Sequence, residues 1–193
     1  MIPRRLLLPV AIGVALLQIG FLMFMIAGRA SILRSGTEVT LQVEPVDPRD
    51  LLRGDYVVLG YNISRIPTSI LIDQADNAGR SEDRVVFVRL RADEGGIWQP
   101  VTASYDVSIP EAAATGEVDI RGTTHRSWST AMEFIDVVYG IERFYVPEGE
   151  GREIERNLNQ RTFTMKVMVD ANGAAQIRSF HNGETLLYEE PIY

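Results

Sequence analysis

The chain has 193 residues, with 19 basic and 26 acidic side chains and a formal net charge of −7 at neutral pH. A chain of this length forms about one domain, and its acidity argues against nucleic acid or an anionic bilayer surface as its partner. Cysteine is absent, which excludes disulfides, thiolate catalysis and metal sites with cysteine ligands.

The first predicted element is an apolar segment from Leu6 to Ala27 that contains no charged residue. About 20 apolar residues are enough to cross the hydrocarbon core of a bilayer, so residues 6–27 predict a membrane anchor in contact with lipid. A cleavable signal peptide is the alternative, because Arg4 and Arg5 precede the segment. The apolar region of a signal peptide is shorter, however, at about 7 to 15 residues.

The basic residues around this segment indicate its orientation. Arg4 and Arg5 lie before it with the terminal amine, and Arg29 and Arg34 lie after it. By a small excess of positive charge, the positive-inside rule places the N-terminal end in the cytoplasm. The predicted organisation is a cytoplasmic tail, a single-pass anchor and an extracytoplasmic domain, at residues 1–5, 6–27 and 28–193.

Beyond the anchor, apolar and polar residues alternate, which is the period of half-buried strands. The pattern predicts strands at residues 39–44, 86–91, 97–107, 135–141, 163–169, 175–180 and 185–188. The helical spacing of Ile154 and Leu158 predicts one short helix within residues 149–159. We therefore expect a mainly β protein, in which an N-terminal transmembrane helix precedes one β-rich domain of the barrel or sandwich type.

An eight-residue run from Gly54 to Tyr61 follows a segment suited to a helical turn. Asp47 is typical of a helix N-cap, and Pro48 is typical of the first helical position. Gly54 suits the left-handed residue that ends such a turn. The run itself is expected to begin a strand.

That strand has two faces, because its side chains alternate. One face is expected in the core and carries Val57, Leu59, Tyr61 and Ile63. The other face is expected to point outward and carries Tyr56, Val58 and Asn62. Asp55, beside Arg53, is expected to pair with an arginine or to accept hydrogen bonds from the turn. The run is thus either a folding device or a binding or assembly surface.

The run resembles the signature of the bacterial GDYXXLXY protein family at every fixed position, namely Gly54, Asp55, Tyr56, Leu59 and Tyr61. A second block is similar as well, at Tyr139, Gly140, Ile141, Glu142, Tyr145, Glu148 and Gly149. The resemblance covers nearly the whole chain and implies a single-pass protein of the bacterial cytoplasmic (inner) membrane with a periplasmic domain. Relatives accompany multi-span membrane proteins, and the family supplies no catalytic residues.

The chemical patterns are weak, so no catalytic residue, metal ligand or cofactor is assigned. Lys166 is expected to point outward beside Thr164, and His125 and His181 are expected in polar, turn-like segments. A site of three carboxylates from the two blocks stays open, for acid/base chemistry or cation binding: Asp55, Glu142 and Glu148. Solvated or arginine-paired acidic surface is the alternative.

The sequence favours an accessory or interaction subunit of a bacterial envelope membrane assembly. Tyr56 and Tyr145 are interface candidates, because aromatic side chains often anchor interfaces. Gln18, Gly13 and Gly20 are expected to pack against a helix of a multi-span membrane protein. An extracytoplasmic ligand-binding module is the alternative function, and a carboxylate-based envelope enzyme is a further one.

Overall fold

A computed structural model describes residues 7–44, 56–72, 83–124, 133–145 and 163–191. One long helix, α1 (Leu7–Ser35), precedes a set of antiparallel strands. The prediction of a mainly β protein with an N-terminal helix is therefore confirmed, and no barrel closes among the described strands. The short helix expected within residues 149–159 lies outside the described residues.

The described strands are short, and a 3-10 helix (Thr68–Ile70) follows the fourth of them. Their bounds are β1 (Thr37–Glu44), β2 (Tyr56–Val58), β3 (Gly60–Tyr61), β4 (Arg65–Pro67), β5 (Arg84–Ala92), β6 (Trp98–Tyr105), β7 (Glu117–Thr124), β8 (Phe134–Asp136), β9 (Arg143–Tyr145), β10 (Phe163–Val169), β11 (Ala175–Asn182) and β12 (Thr185–Glu189).

These strands form two larger sheets and two ribbons. One sheet has the order β12-β11-β10-β1-β3, and the other has the order β6-β5-β7. The ribbons are β2 with β9 and β4 with β8. Three neighbouring pairs in the larger sheets are consecutive along the chain, namely β12-β11, β11-β10 and β6-β5, whereas β10-β1, β1-β3 and β5-β7 are not.

One hydrophobic core lies between the elements, and alternating residues of several strands supply it. In β1 these are Val39, Leu41 and Val43, and in β10 they are Phe163, Met165, Val167 and Val169. The predicted period of two is thus confirmed in both strands. Full burial of one such side chain stabilises the fold by about 1.5–3 kcal/mol, so these alternating residues fix which face of each strand is inside.

The polar face of β5 is not simply solvated. Arg89 has an exposed fraction of only 6%, and its guanidinium forms two hydrogen bonds with the Asp119 carboxylate, at 2.7 and 2.8 Å. It also donates to the Glu111 carbonyl at 2.6 Å. These hydrogen bonds to Asp119 raise the pKa of Arg89. The paired charge therefore ties β5 to β7 and to the loop before β7.

Helix α1 is longer than the predicted anchor, because it continues without a break past Ala27 to Ser35. Its 29 residues span about 43 Å at the usual helical rise. In the described part of the chain, it is the one helix that has the length and composition to cross a membrane. The helix contacts β10 and β11, and Leu33, near its end, is buried.

A single residue, Gly36, connects α1 to the sheet. Its N–H donates to the Ile32 carbonyl at 2.9 Å, and β1 begins at the next residue. A Cβ at this position would lie 2.7 Å from the Ile32 oxygen and 3.0 Å from the Val169 oxygen. Only glycine fits without displacing backbone, so the junction is a tight joint and not a flexible linker.

We expect Gly36→Ala to lower the free energy of unfolding by about 1–3 kcal/mol, the usual cost of overpacking. The matched control is Gly28→Ala, also near the end of α1, where a Cβ meets nothing within 4 Å. Chemical denaturation of the full chain in micelles, followed by tryptophan fluorescence, measures both. Equal stability of the two variants would contradict a tight joint.

Candidate functional site

The strand through the first signature block changes its partner at Leu59. Before it, β2 pairs with β9 of the second block, with Tyr56 opposite Tyr145 and Val58 opposite Arg143. After it, β3 pairs with β1. The Leu59 N–H itself donates to the Glu142 carbonyl at 2.8 Å. The two signature blocks, more than 75 residues apart in the chain, are therefore neighbours through backbone hydrogen bonds.

Two buried tyrosines join the blocks in a reciprocal arrangement. The Tyr61 hydroxyl donates to the Ile141 carbonyl at 2.6 Å, and the Tyr139 hydroxyl donates to the Ile63 carbonyl at 2.8 Å. Each acceptor lies two residues after the tyrosine of the other block. We call these four residues the tyrosine clasp. The clasp gives a hydrogen-bond donor to each of two buried carbonyls. A buried carbonyl without a donor would cost about 1–3 kcal/mol.

Glu142 fixes the turn that follows Tyr139. Its carboxylate accepts the Tyr139 N–H at 2.5 Å and the Gly140 N–H at 2.9 Å. Gly140 has φ +83°, a left-handed conformation that glycine adopts without a Cβ clash. The turn therefore depends on a glycine for its shape and on a carboxylate for its free N–H groups.

Asn62 connects the same region to both large sheets. It exchanges two hydrogen bonds with Gln42 of β1, each 3.0 Å long. Its side-chain amide also donates to the Trp98 carbonyl at 2.7 Å and to Gln99 at 3.1 Å, both in β6. The sequence predicts Asn62 on an outward face. In the structure the residue is half-buried, because its amide bridges the two sheets.

The electrostatics of the clasp follow from its burial. Desolvation raises the pKa of the Tyr61 phenol far above its usual value near 10, and the negative charge of Glu142 raises it further. The same two causes, in the same order, raise the pKa of Tyr139. Both phenols therefore remain protonated donors, which is what the two carbonyls require.

The residues of the predicted site fall into three groups. Leu59 and Tyr61 lie in the core with exposed fractions of 1%, as the period of two predicts. Tyr56 and Tyr145 are placed by their backbone pairing. Apart from Tyr139, Gly140, Ile141 and Glu142, whose contacts are given above, the others lie outside the described residues: Gly54, Asp55, Glu148 and Gly149. The turn expected around Asp47 and Pro48 also lies outside them.

The structure describes only one of the three carboxylates of the predicted site. Glu142 holds backbone N–H groups with both of its oxygens, whereas Asp55 and Glu148 lie outside the described residues. A site formed by all three stays a prediction. Within the described ranges, no group of three or more His, Asp or Glu side chains is placed to hold a metal ion.

Two other candidate groups are placed by the sheet. Lys166 points away from the core, as expected, and its ammonium binds Glu38 at 2.8 Å. His181 was expected in a turn, and this is wrong, because β11 extends to Asn182. Its Nε2 lies 2.8 Å from the Ser179 hydroxyl, since residues two apart in a strand share a face. His125 lies outside the described residues.

Sequence reasoning missed the tyrosine clasp, although a signal for it is present. Both blocks contain the pattern Tyr-x-Ile, at Tyr61 to Ile63 and at Tyr139 to Ile141. In each, the tyrosine is the donor and the isoleucine carbonyl is the acceptor. Two such patterns, each predicted on the buried face of a strand, indicate hydroxyls that must find a partner inside the protein.

We expect Tyr61→Phe and Tyr139→Phe each to lower the free energy of unfolding by about 1–3 kcal/mol, because each leaves a buried carbonyl without its donor. The double variant should lose less than the sum, by at least about 0.5 kcal/mol, because the two bonds close one junction. Denaturant unfolding of the single and double variants measures this. Tyr188→Phe, which loses a hydrogen bond to the Glu190 side chain, is the control.

The pH dependence of the free energy of unfolding, measured in the same variants, tests whether the two phenols are buried and protonated. A folded-state pKa above the unfolded value means that unfolding releases protons above about pH 10, so stability falls as the pH rises. Two protons correspond to a slope of up to about 2.7 kcal/mol per pH unit. The double phenylalanine variant should lose that part of the alkaline slope. An unchanged slope would contradict the buried, protonated state of both tyrosines.

The model of one protein family, described as GDYXXLXY protein, matches residues 18–180. The match includes both blocks of the tyrosine clasp and part of α1. No curated protein and no solved structure matches the chain. The chain therefore belongs to the GDYXXLXY protein family.

Proposed function

We propose that the chain is an accessory subunit of a bacterial envelope membrane assembly and that its domain binds a partner through a surface around the β2–β9 ribbon. The tight joint at Gly36 supports this role, because it holds the domain in a fixed place relative to α1. A fixed domain presents the same surface at the same height above the bilayer to any neighbouring subunit.

The pairing of β2 with β9 carries the proposal. It brings the N-terminal part of the first block beside the second block, because Tyr56 is the register partner of Tyr145. Cross-strand partners lie within reach of each other. These two tyrosines are the proposed partner contact, since aromatic residues are frequent anchors of protein interfaces.

The tyrosine clasp supplies the rigidity that such a surface needs. The ribbon begins one residue from Leu59, whose N–H and side chain are both fixed, by Glu142 and by the core. Binding orders the groups that make the contact, and a surface that is already ordered loses less free energy. The buried half of the signature therefore acts as the base of the proposed interface.

The partner contact belongs outside the bilayer. Strand β1 starts at the end of α1, and its far end, Val43, pairs with Tyr61. The six-residue separation from Thr37 corresponds to about 20 Å of strand. A partner that touches the ribbon therefore does so with an extramembrane part.

We expect the domain on the extracytoplasmic side of the inner membrane, with α1 as a retained anchor. Alkaline phosphatase fused after Tyr193 should be active, because the enzyme matures only outside the cytoplasm. A cytoplasmic reporter at the same position is the control and should be inactive. The reverse pattern would contradict the orientation.

We expect Tyr56→Ala to reduce co-purification of a multi-span partner from native membranes by about 30-fold, the effect of an interface residue worth roughly 2 kcal/mol. Phe134→Ala is the matched control, since Phe134 is an exposed aromatic residue of the other ribbon. Thermal unfolding of both variants checks that the fold is intact. If the chain is extracted alone and its domain retains a sugar or peptidoglycan fragment, a ligand-binding module replaces this proposal.

A further inference from the structure

Gln18 is a polar residue at the centre of an apolar helix surface. It is exposed on α1, and its amide has no hydrogen-bond partner among the described residues. Ten apolar or small residues precede it from Leu8, and nine follow it to Ala27. In a membrane this position is the middle of the hydrocarbon, where no water is available to an amide. Its donor and acceptor groups therefore favour a protein partner there.

The continuous helix determines which residues share the face of Gln18. Residues spaced alternately four and three apart lie along one side of a helix, and here they are Ala11, Ala15, Gln18, Leu22 and Met25. We call this set the Gln18 face. Gly13 and Gly20 are about 140° and 160° around the helix from Gln18. They lie on the opposite side of α1, so one partner helix cannot contact all three residues, and packing of Gly13 and Gly20 against a further helix stays a prediction.

We infer that the Gln18 face binds a transmembrane helix of a different protein, which carries a hydrogen-bonding side chain at mid-bilayer. This rests on the proposed function and gives the membrane part of the assembly its own contact site. Ala11 and Ala15 allow close approach of the two backbones, and Gln18 supplies the interhelical hydrogen bond. The partner helix also carries a hydrogen-bond acceptor near the bilayer surface, either a carboxylate or free carbonyls, which pairs with Arg29.

Arg29 argues against a second copy of the chain as the occupant. It is exposed, and it lies 11 residues after Gln18, or about 20° away around the helix. A parallel two-fold pair through the Gln18 face would bring two Arg29 side chains together, and like charges repel. A different helix with an acceptor at this level would pair with Arg29 instead.

Leu33 gives a second, steric argument. It lies 18 residues after Ala15, which is five full turns, so both are on the same side of α1. Leu33 is buried where α1 contacts β10 and β11. The domain thus covers the upper end of this side. A helix that ends at the bilayer surface fits beneath the domain, whereas a second copy brings an α1 that continues to Ser35 into the same space.

Photo-crosslinking from single positions of the full chain in native membranes tests this inference. A diazirine amino acid replaces Leu22 on the Gln18 face or Phe24, which lies about 160° away at nearly the same depth. We expect an adduct from Leu22 and little from Phe24. The crosslinked peptide should be an apolar membrane-spanning segment of another protein, with a polar residue at its middle.

Gln18→Leu should reduce the Leu22 adduct about 3- to 30-fold, the range expected for one interhelical hydrogen bond. Gln18→Asn keeps an amide and should retain part of the adduct. Gly20→Leu, on the opposite side, should leave it unchanged, and membrane extraction checks that every variant remains inserted.

Three outcomes would overturn the inference: an adduct with a second copy, equal adducts from Leu22 and Phe24, or no effect of Gln18→Leu. If any of these occurs while a partner is still lost on Tyr56→Ala, the proposed function stands and only the helix contact fails. If neither the adduct nor a partner dependent on Tyr56 is found, both proposals fail.

Discussion

The fold depends on satisfying backbone groups where one short strand changes partner. At Leu59 the chain leaves the ribbon with β9 and joins β1, so the regular ladder of hydrogen bonds is interrupted inside the core. A buried carbonyl without a donor costs about 1–3 kcal/mol, and the tyrosine clasp removes two such costs. The clasp requires both blocks, so two segments far apart in the chain close one junction.

The clasp and the joint at Gly36 act at opposite ends of β1. Gly36 fixes the first residue of the strand to α1, and Tyr61 fixes its last part through β3 and the second block. The strand is therefore held at both ends by close backbone contacts. A displacement of α1 is therefore expected to be transmitted to the strand through both of these contacts.

The sequence predicts those features that depend on local periodicity. The alternation in β1 and β10 gave the correct inner faces, because a strand residue has only two directions available. The clasp, the Asn62 bridge and the buried Arg89 pair depend on contacts between distant segments, and no local period encodes them. The end of α1 was also missed, since Gly28 and Arg29 mark the end of the apolar segment but not the end of the helix, which packing of Leu33 on the sheet extends.

The separation of roles within the signature follows from the same physics. A residue that fills the core or closes the clasp cannot also contact a partner, and Leu59 and Tyr61 are almost completely buried. Tyr56 is three residues before the change of partner at Leu59, on a ribbon that belongs to neither large sheet. Any recognition by the first block therefore has to come from its N-terminal half, on a base that its C-terminal half keeps rigid.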